Sequence, residues 1–323
     1  MRRKLLSAVA PAFLAVVLAA CGETPNMGAP PQLPTPTPVG VQTPTPGGGI
    51  FLGAYVSPLK GGITTLETPV GRKFALNMHY YPWAGSFPRL TENADVENGR
   101  LPIDSWDCGI SNAQILAGNA DMLITTRALS FKEFGHPVFL RFMWDMNLPN
   151  TTALPYSGQA RTQCYDPATD NADGTFSAKE YVAAYQHIRQ IFAQNGVTNI
   201  IWLWSVSASG ADPSPYYPGD SQVDWVGVDT YDPTGTLTFS SLFAPTYASL
   251  ASHNKPIMVT ETGTIHSNQQ NFLTGLPAAL QSNFPMVQGF VYFDDSTWAL
   301  TPAAAATFAQ VAHDPYLSGY GTP

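Results

Sequence analysis

Two carboxylates at the ends of two apolar runs are the residues of this chain best placed to do chemistry. Pro137 to Asn147 reads PVFLRFMWDMN, apolar from Val138 to Met143 apart from Arg141, and it ends in Trp144-Asp145. Lys255 to Gly263, KPIMVTETG, has the same design and places Glu261 just after its apolar stretch. Runs of this kind, the first opened by Gly135 and Pro137, predict strands buried on both faces. Carboxylates at the carboxyl ends of such strands sit where parallel α/β sheets and barrels put their ligands. A pair of them among aromatic residues points to acid/base and nucleophilic work on a sugar. The competing reading is that each caps a helix or pairs with an arginine such as Arg141.

The elements that must position this pair follow from the pattern. Strands are predicted near Phe51–Val56, Phe74–Tyr80, Leu101–Ile103, Val138–Met143, Asn199–Trp204, Trp225–Val228, Ile257–Thr260 and Gly289–Phe293. Helices are predicted at Ser111–Phe134, Ala178–Asn195, Ser241–His253 and Asn268–Asn283. The segment 178–195 carries Tyr181, Ala184, Tyr185, Ile188, Ile191 and Phe192 as one helical stripe, with Gly196 as its cap. Alternating strands and helices imply a parallel sheet. Eight strands in the span from residue 50 to 323 predict closure into a single (β/α)8 TIM barrel.

Each strand end then brings polar and aromatic residues to one face. His79-Tyr80-Tyr81-Pro82-Trp83 follows the second strand, Trp106-Asp107 the third, Trp144-Asp145 the fourth and Trp204-Ser205 the fifth. Asp229-Thr230-Tyr231 follows the sixth strand, Glu261 the seventh, and Asp294 to Trp298 the eighth. Aromatic rings stack on pyranose faces, so His79, Trp83, Trp106, Trp144, Trp204, Tyr231 and Trp298 are the candidate substrate-binding residues. A tryptophan in such a position serves equally as core, and His79 reads as well as a core histidine as a hydroxyl binder.

These blocks resemble family 26 of the glycoside hydrolases, whose best-known members are endo-β-1,4-mannanases. The similarity runs in order from about Phe51 to Leu300: SWDCGISNAQILAGNAD (Ser105–Asp121), PVFLRFMWDMN, NIIWLWS (Asn199–Ser205), YYPGDSQVDWVGVDTY (Tyr216–Tyr231), KPIMVTETG and GFVYFDDSTW (Gly289–Trp298). The resemblance implies a retaining endo-β-glycanase with mannan as first substrate. In it Glu261 is the nucleophile, Asp145 stands at the acid/base position, Tyr231 contacts the nucleophile and Trp298 lines the subsite beside the scissile bond. Retaining chemistry of this kind wants its two carboxyl groups about 5–5.5 Å apart. The family usually has His-Glu-Met-Asn-Gly after its fourth strand, where this chain has Trp144-Asp145-Met146-Asn147-Leu148. The shorter acid opens a second expectation, a barrel that binds carbohydrate without turning it over.

The rest of the chain sets the context. Arg2, Arg3 and Lys4 precede an apolar run and Leu18-Ala19-Ala20-Cys21, the form of a lipoprotein export signal over 1–20 with lipidation at Cys21. Residues 21–49, rich in Pro, Thr and Gly, predict a disordered tether. The chain carries 15 basic against 23 acidic residues, a formal net charge of −8. That balance argues against nucleic acid and against electrostatic lipid binding, leaving a covalent acyl chain to reach the membrane. Cys108 and Cys164 are expected to pair in an exported protein. Thr169 to Glu180 has the spacing of a calcium loop, but its first position is threonine, and a plain polar turn is the preferred reading. No zinc, nucleotide or flavin motif occurs, and no cofactor is expected.

Overall fold

The computed structural model describes residues 49–318, so the leader, Cys21 and all of the tether except Gly49 lie outside the described residues. In chain order the elements are β1 (Phe51–Val56), α1 (Thr64–Val70), β2 (Leu76–Tyr81), α2 (Leu90–Glu97), β3 (Leu101–Trp106), α3 (Asn112–Leu116), α4 (Asp121–Phe134) and β4 (Val138–Phe142). Then follow α5 (Ala178–Gln194), β5 (Ile200–Ser207), β6 (Trp225–Asp232), α6 (Phe239–Ala251), β7 (Ile257–Thr264), α7 (Gln269–Thr274), α8 (Leu276–Asn283), β8 (Val287–Asp294), α9 (Pro302–Ala312) and α10 (Pro315–Ser318). Strands β1 to β8 close in sequence order, every neighbouring pair parallel. The predicted (β/α)8 barrel is the fold.

Side chains alternate between two buried layers, as the two-residue period of a strand requires. Leu76, Met78, Ile103, Phe139, Ile201, Leu203 and Met258 form the cluster inside the barrel. Val138, Leu140, Phe142, Trp202, Trp204 and Val206 point outward into the larger core beneath the helices. Helix α5 packs there through its full predicted stripe, with Tyr181, Ala184, Tyr185, Ile188, Ile191 and Phe192 all buried. The helix predicted over 111–134 is two, α3 and α4, interrupted where Gly118 takes φ +81°. The strands also run further than their apolar stretches, β5 to Ser207, β6 to Asp232 and β7 to Thr264.

The loops after β3 and β4 are joined by a Cys108–Cys164 disulfide, with Cα atoms 6.1 Å apart and a sequence separation of 56. Closing a loop of that size removes chain entropy from the unfolded state worth about 4 kcal/mol. Cys164→Ser is expected to lower the unfolding free energy by up to about 4 kcal/mol on that model. Denaturant titration with and without reductant checks it, since reductant should weaken the wild type alone.

Candidate active site

Arg141 on β4 points into the barrel and is fully buried. Its Nη1 donates to both oxygens of Asp229 at 2.8 and 2.9 Å, and its Nε donates to Ser105 Oγ at 3.0 Å. Its Nη2 donates to Glu261 Oε1 and to the Tyr80 hydroxyl. Glu261 also accepts from Tyr80 at 2.6 Å and from Tyr231 at 2.7 Å. Simple alternation would have turned Glu261 outward beside Val259. The β6–β7 register jumps from Val228↔Val259 to Asp229↔Glu261, leaving Thr260 as an extra residue in β7. Such a bulge re-aims the side chains beyond it, so Thr260 and Glu261 both face inward, Thr260 donating to Asp229 at 2.5 Å.

This shell sets the charge on Glu261. Burial by itself would raise its pKa. The Arg141 charge and the donors on Tyr80, Tyr231 and Arg141 outweigh burial and hold it below the usual carboxylate value. Both tyrosine hydroxyls remain protonated donors, because burial and the neighbouring Glu261 charge push them upward.

Asp145 follows β4 in a backbone turn with φ +42° at Met143 and +56° at Asp145 itself. Its N–H donates to Ser205 O at 3.1 Å, its carbonyl accepts from Leu148 N, and its Oδ1 is buried with no hydrogen-bond partner among the described residues. Burial, with the Glu261 charge behind it, pushes the Asp145 carboxyl up to about 7, against the pull of Arg141 and Arg161. Asp229 is also raised, first by burial and then, against Arg141, by its two acidic neighbours. Three carboxyl groups facing one guanidinium cannot all ionise, and the proton they retain belongs to the Asp145–Asp229 end.

A second arginine ties this turn to the disulfide. Arg161 Nε donates to Asp107 Oδ1 at 2.6 Å, its Nη1 donates to the Trp144 carbonyl, and its guanidinium lies 4.6 Å from the Trp144 ring. Tyr156 donates to the other Asp107 oxygen at 2.9 Å and stacks on Tyr80 with centroids 4.4 Å apart. Cys164 and Cys108 therefore fix the two loops that carry Arg161 and its partner Asp107.

Of the residues singled out in the sequence, Glu261, Asp145, Trp144, Tyr231 and Trp298 gather here. Trp144 lies between Arg141 and Arg161, and Trp298 stacks on Tyr231 at 4.7 Å. The other four point away from Glu261. His79 is on the outer side of β2 and bonds Asp95 at 2.6 Å. Trp83 and Trp106 stack on each other in the outer core, and Trp204 packs there against Tyr217 and His253. Tyr80, Tyr156, Asp229, Asp107 and Arg161 were not singled out. For Tyr80 the signal was present: it shares parity with apolar Leu76 and Met78, whereas His79 shares parity with Asn77. In the segment 169–180, read as a plain polar turn despite its calcium-loop spacing, Asp170, Asn171 and Asp173 hydrogen-bond within the turn and its flanks.

Fold and site together define a (β/α)8 barrel with a buried, unequally protonated carboxyl cluster at the C-terminal ends of its strands, the functional face of this architecture. Residues 174–299 match the family model of glycosyl hydrolase family 26, and the resemblance of the chain to that family stands. An endoglucanase H of Acetivibrio thermocellus is 27% identical over 287 residues, 81% of this chain and 30% of that protein. A β-1,3-xylanase of Vibrio sp. is 26% identical over 211 residues, 63% of this chain and 37% of that protein. The chain thus spans about a third of the length of these relatives. A solved mannanase structure of Bacillus subtilis superposes with a TM-score of 0.59 at 19% identity, covering 83% of this chain and 85% of that one. The latter likeness is one of fold.

Arg161 opposes the protonation of Asp145 and grips the carbonyl beside it. Arg161→Ala is therefore expected to move the titration of Asp145 upward from about 7. Titration of the Asp145 carboxyl by 13C NMR checks this without substrate. An unmoved midpoint would show that Arg161 acts only on the backbone.

Proposed function

We propose that the chain is a retaining endo-β-glycanase, with β-1,4-mannan the first substrate. One observation carries the reading: a single barrel mouth ties Glu261 to Arg141, Tyr80 and Tyr231, which hold its carboxyl low, while burial raises the Asp145 carboxyl to about 7. Unequal environments of that sort assign acid and nucleophile in glycoside hydrolysis. Glu261 attacks the anomeric carbon as the C–O bond breaks, and Asp145 gives its proton to the departing oxygen. Asp145, now ionised, takes a proton from water as that water opens the glycosyl-enzyme, which restores both groups. Tyr231 and Tyr80 orient the nucleophile, and Trp298, stacked on Tyr231, offers a ring face to the sugar.

The relatives' names cover glucan, β-1,3-xylan and mannan. A reducing-sugar screen on mannan, mixed-linkage glucan and xylan selects among them. Glu261→Ala should abolish turnover on whichever is cleaved. Asp145→Ala should harm the polysaccharide far more than an aryl glycoside, whose leaving group hardly needs an acid. Asp145→Glu is expected to be slower than wild type by about 10- to 100-fold, because the left-handed turn suits a short acid and a longer one misplaces the carboxyl by about 1 Å or more. The kcat/KM profile should have its acid limb below the usual carboxylate value and its alkaline limb near 7, where Asp145 loses its proton.

The second reading, a barrel that binds glycan without cleaving it, draws on the Asp at position 145 where family members usually have Glu. It replaces the first if wild type and both Asp145 variants bind a β-glycan and cleave none. We also infer that the protein is exported and held at the cell envelope by an acyl chain on Cys21, with 21–49 as a spacer, on the strength of the Leu18–Cys21 signal. Wild type should partition into detergent and Cys21→Ala should remain unacylated; a soluble, unmodified wild type refutes the anchor.

A further inference from the structure

The shortest seam of the barrel wall lies between β1 and β2. β2 pairs with β3 over six residues and β1 with β8 over six, whereas β1 pairs with β2 only at Gly53↔Leu76 and Ala54↔Asn77. The two strands meet at Gly53, where an added Cβ would lie 2.5 Å from Leu76 Cβ. Beyond that point Tyr55 and Val56 on one side and Met78 to Tyr81 on the other share no ladder. The flanking helices are short, α1 seven residues with Pro69 inside it and α2 eight. A slot of about 1130 Å3 remains between the strand edges, bounded by both helices.

This slot reaches the rim of the active site, where the rings of Tyr55 and Tyr80 meet edge to face at 4.7 Å. Tyr80 and Tyr156 line it, and the Tyr80 hydroxyl donates to Glu261. From there it runs down the outer side of β2 to Asn77, Asp95 and Asn98. Its volume exceeds the roughly 300–1,000 Å3 that encloses a drug-sized ligand. Most of its ionic groups are spent on one another: Arg100 binds Glu67 and Asp95, and Asp95 also takes the His79 Nε2, leaving His79 Nδ1 without a partner among the described residues, while Arg89 turns its Nε to the Ser86 carbonyl. What the walls offer is phenol rings, amides and an imidazole, a lining for a neutral, hydroxyl-rich ring.

A main chain lying across the barrel mouth has no reason to descend through the wall. A branch does. We propose that the slot between β1 and β2 receives a neutral sugar branch on the β-glycan main chain, making branched polysaccharide the preferred substrate. This rests on the glycanase reading for its substrate and deepens it.

The test uses matched oligosaccharides on the backbone that the screen selects, unbranched or bearing single-sugar branches: galactosyl on mannan, xylosyl on glucan, arabinosyl on xylan. Ala94 and Thr64 are exposed and line the slot from opposite walls. Ala94→Trp and Thr64→Trp should each fill it, lowering kcat/KM on the branched compound by about tenfold or more while leaving the unbranched one within about twofold. Calorimetry on Glu261→Ala should show tighter binding of the branched compound by about tenfold, a margin that either plug removes. Equal binding of the two compounds, or plugs that affect both alike, overturns the proposal. A branch preference in binding with no hydrolysis by wild type leaves the slot standing and removes the glycanase reading. Should no backbone be cleaved, calorimetry with the mannan pair decides the slot.

Discussion

A guanidinium sealed inside the barrel is the constraint on which the rest of this structure depends. Burying an arginine costs several kcal/mol unless its charge and its donors are met. Arg141 meets them with Asp229, Glu261, Ser105 and the Tyr80 hydroxyl, drawn from four different strands. The same contacts work in both directions. They justify the cation in a dry lumen, and they keep a buried glutamate ionised where burial alone would protonate it. Without Arg141 the buried Glu261 would lose its cation, a loss of about 3–5 kcal/mol for such a pair, whereas Arg141 without Glu261 keeps its two bonds to Asp229. The reading of Glu261 as an arginine partner and its reading as a reactive carboxylate are therefore one arrangement.

Two local departures from regular backbone turn that arrangement into a site. The extra residue at Thr260 rotates Glu261 from the outer layer to the inner one. The left-handed turn at Met143 and Asp145 brings an acid in from the end of β4, three strands away around the barrel. Both departures fall at the carboxyl ends of strands that are buried throughout, so the barrel supplies rigidity and the irregular residues supply aim.

This division explains what was legible in the sequence. The apolar stretches marked all eight strands, because parallel strands covered on both faces are apolar throughout. Their ends were read short, because Ser205, Ser207, Asp229, Asp232, Thr262 and Thr264 continue the ladders with the polar residues of the mouth. Helices α1, α2 and α9 were passed over. α2 exposes Leu90 and buries Glu92 and Asp95, the reverse of an amphipathic pattern, and α9 opens with Pro302 and a run of alanines. Glu261 and Asp145 were legible from position at strand ends. The inward or outward sense of Trp106 and Trp204 was harder to read, since both faces of β3 and β5 are buried and the only clear contrast is the alternation of Trp204 and Val206 with Ser205 and Ser207 at the end of β5.

The short acid at 145 shifts the task of placement from side chain to backbone. Asp145 has one methylene fewer with which to reach, so its Cα must be held closer and more firmly. The turn is clamped on both flanks. Arg161 grips the carbonyl of Trp144 on one side. On the other, Asn147 donates to the carbonyls of Ser207 and Ala211 at 2.8 Å and accepts from Ser207 N at 2.9 Å, binding the loop to the end of β5. Gly210 lets that loop approach, since a Cβ there would fall 2.3 Å from the Asn147 amide nitrogen. A left-handed residue costs of order 1–3 kcal/mol and persists only where its surroundings over-determine it. Here four hydrogen bonds, one from Arg161 and three at Asn147, do so, and aspartate is among the residues that tolerate that conformation best. An acid fixed in this way is the mark of a turn built around Asp145.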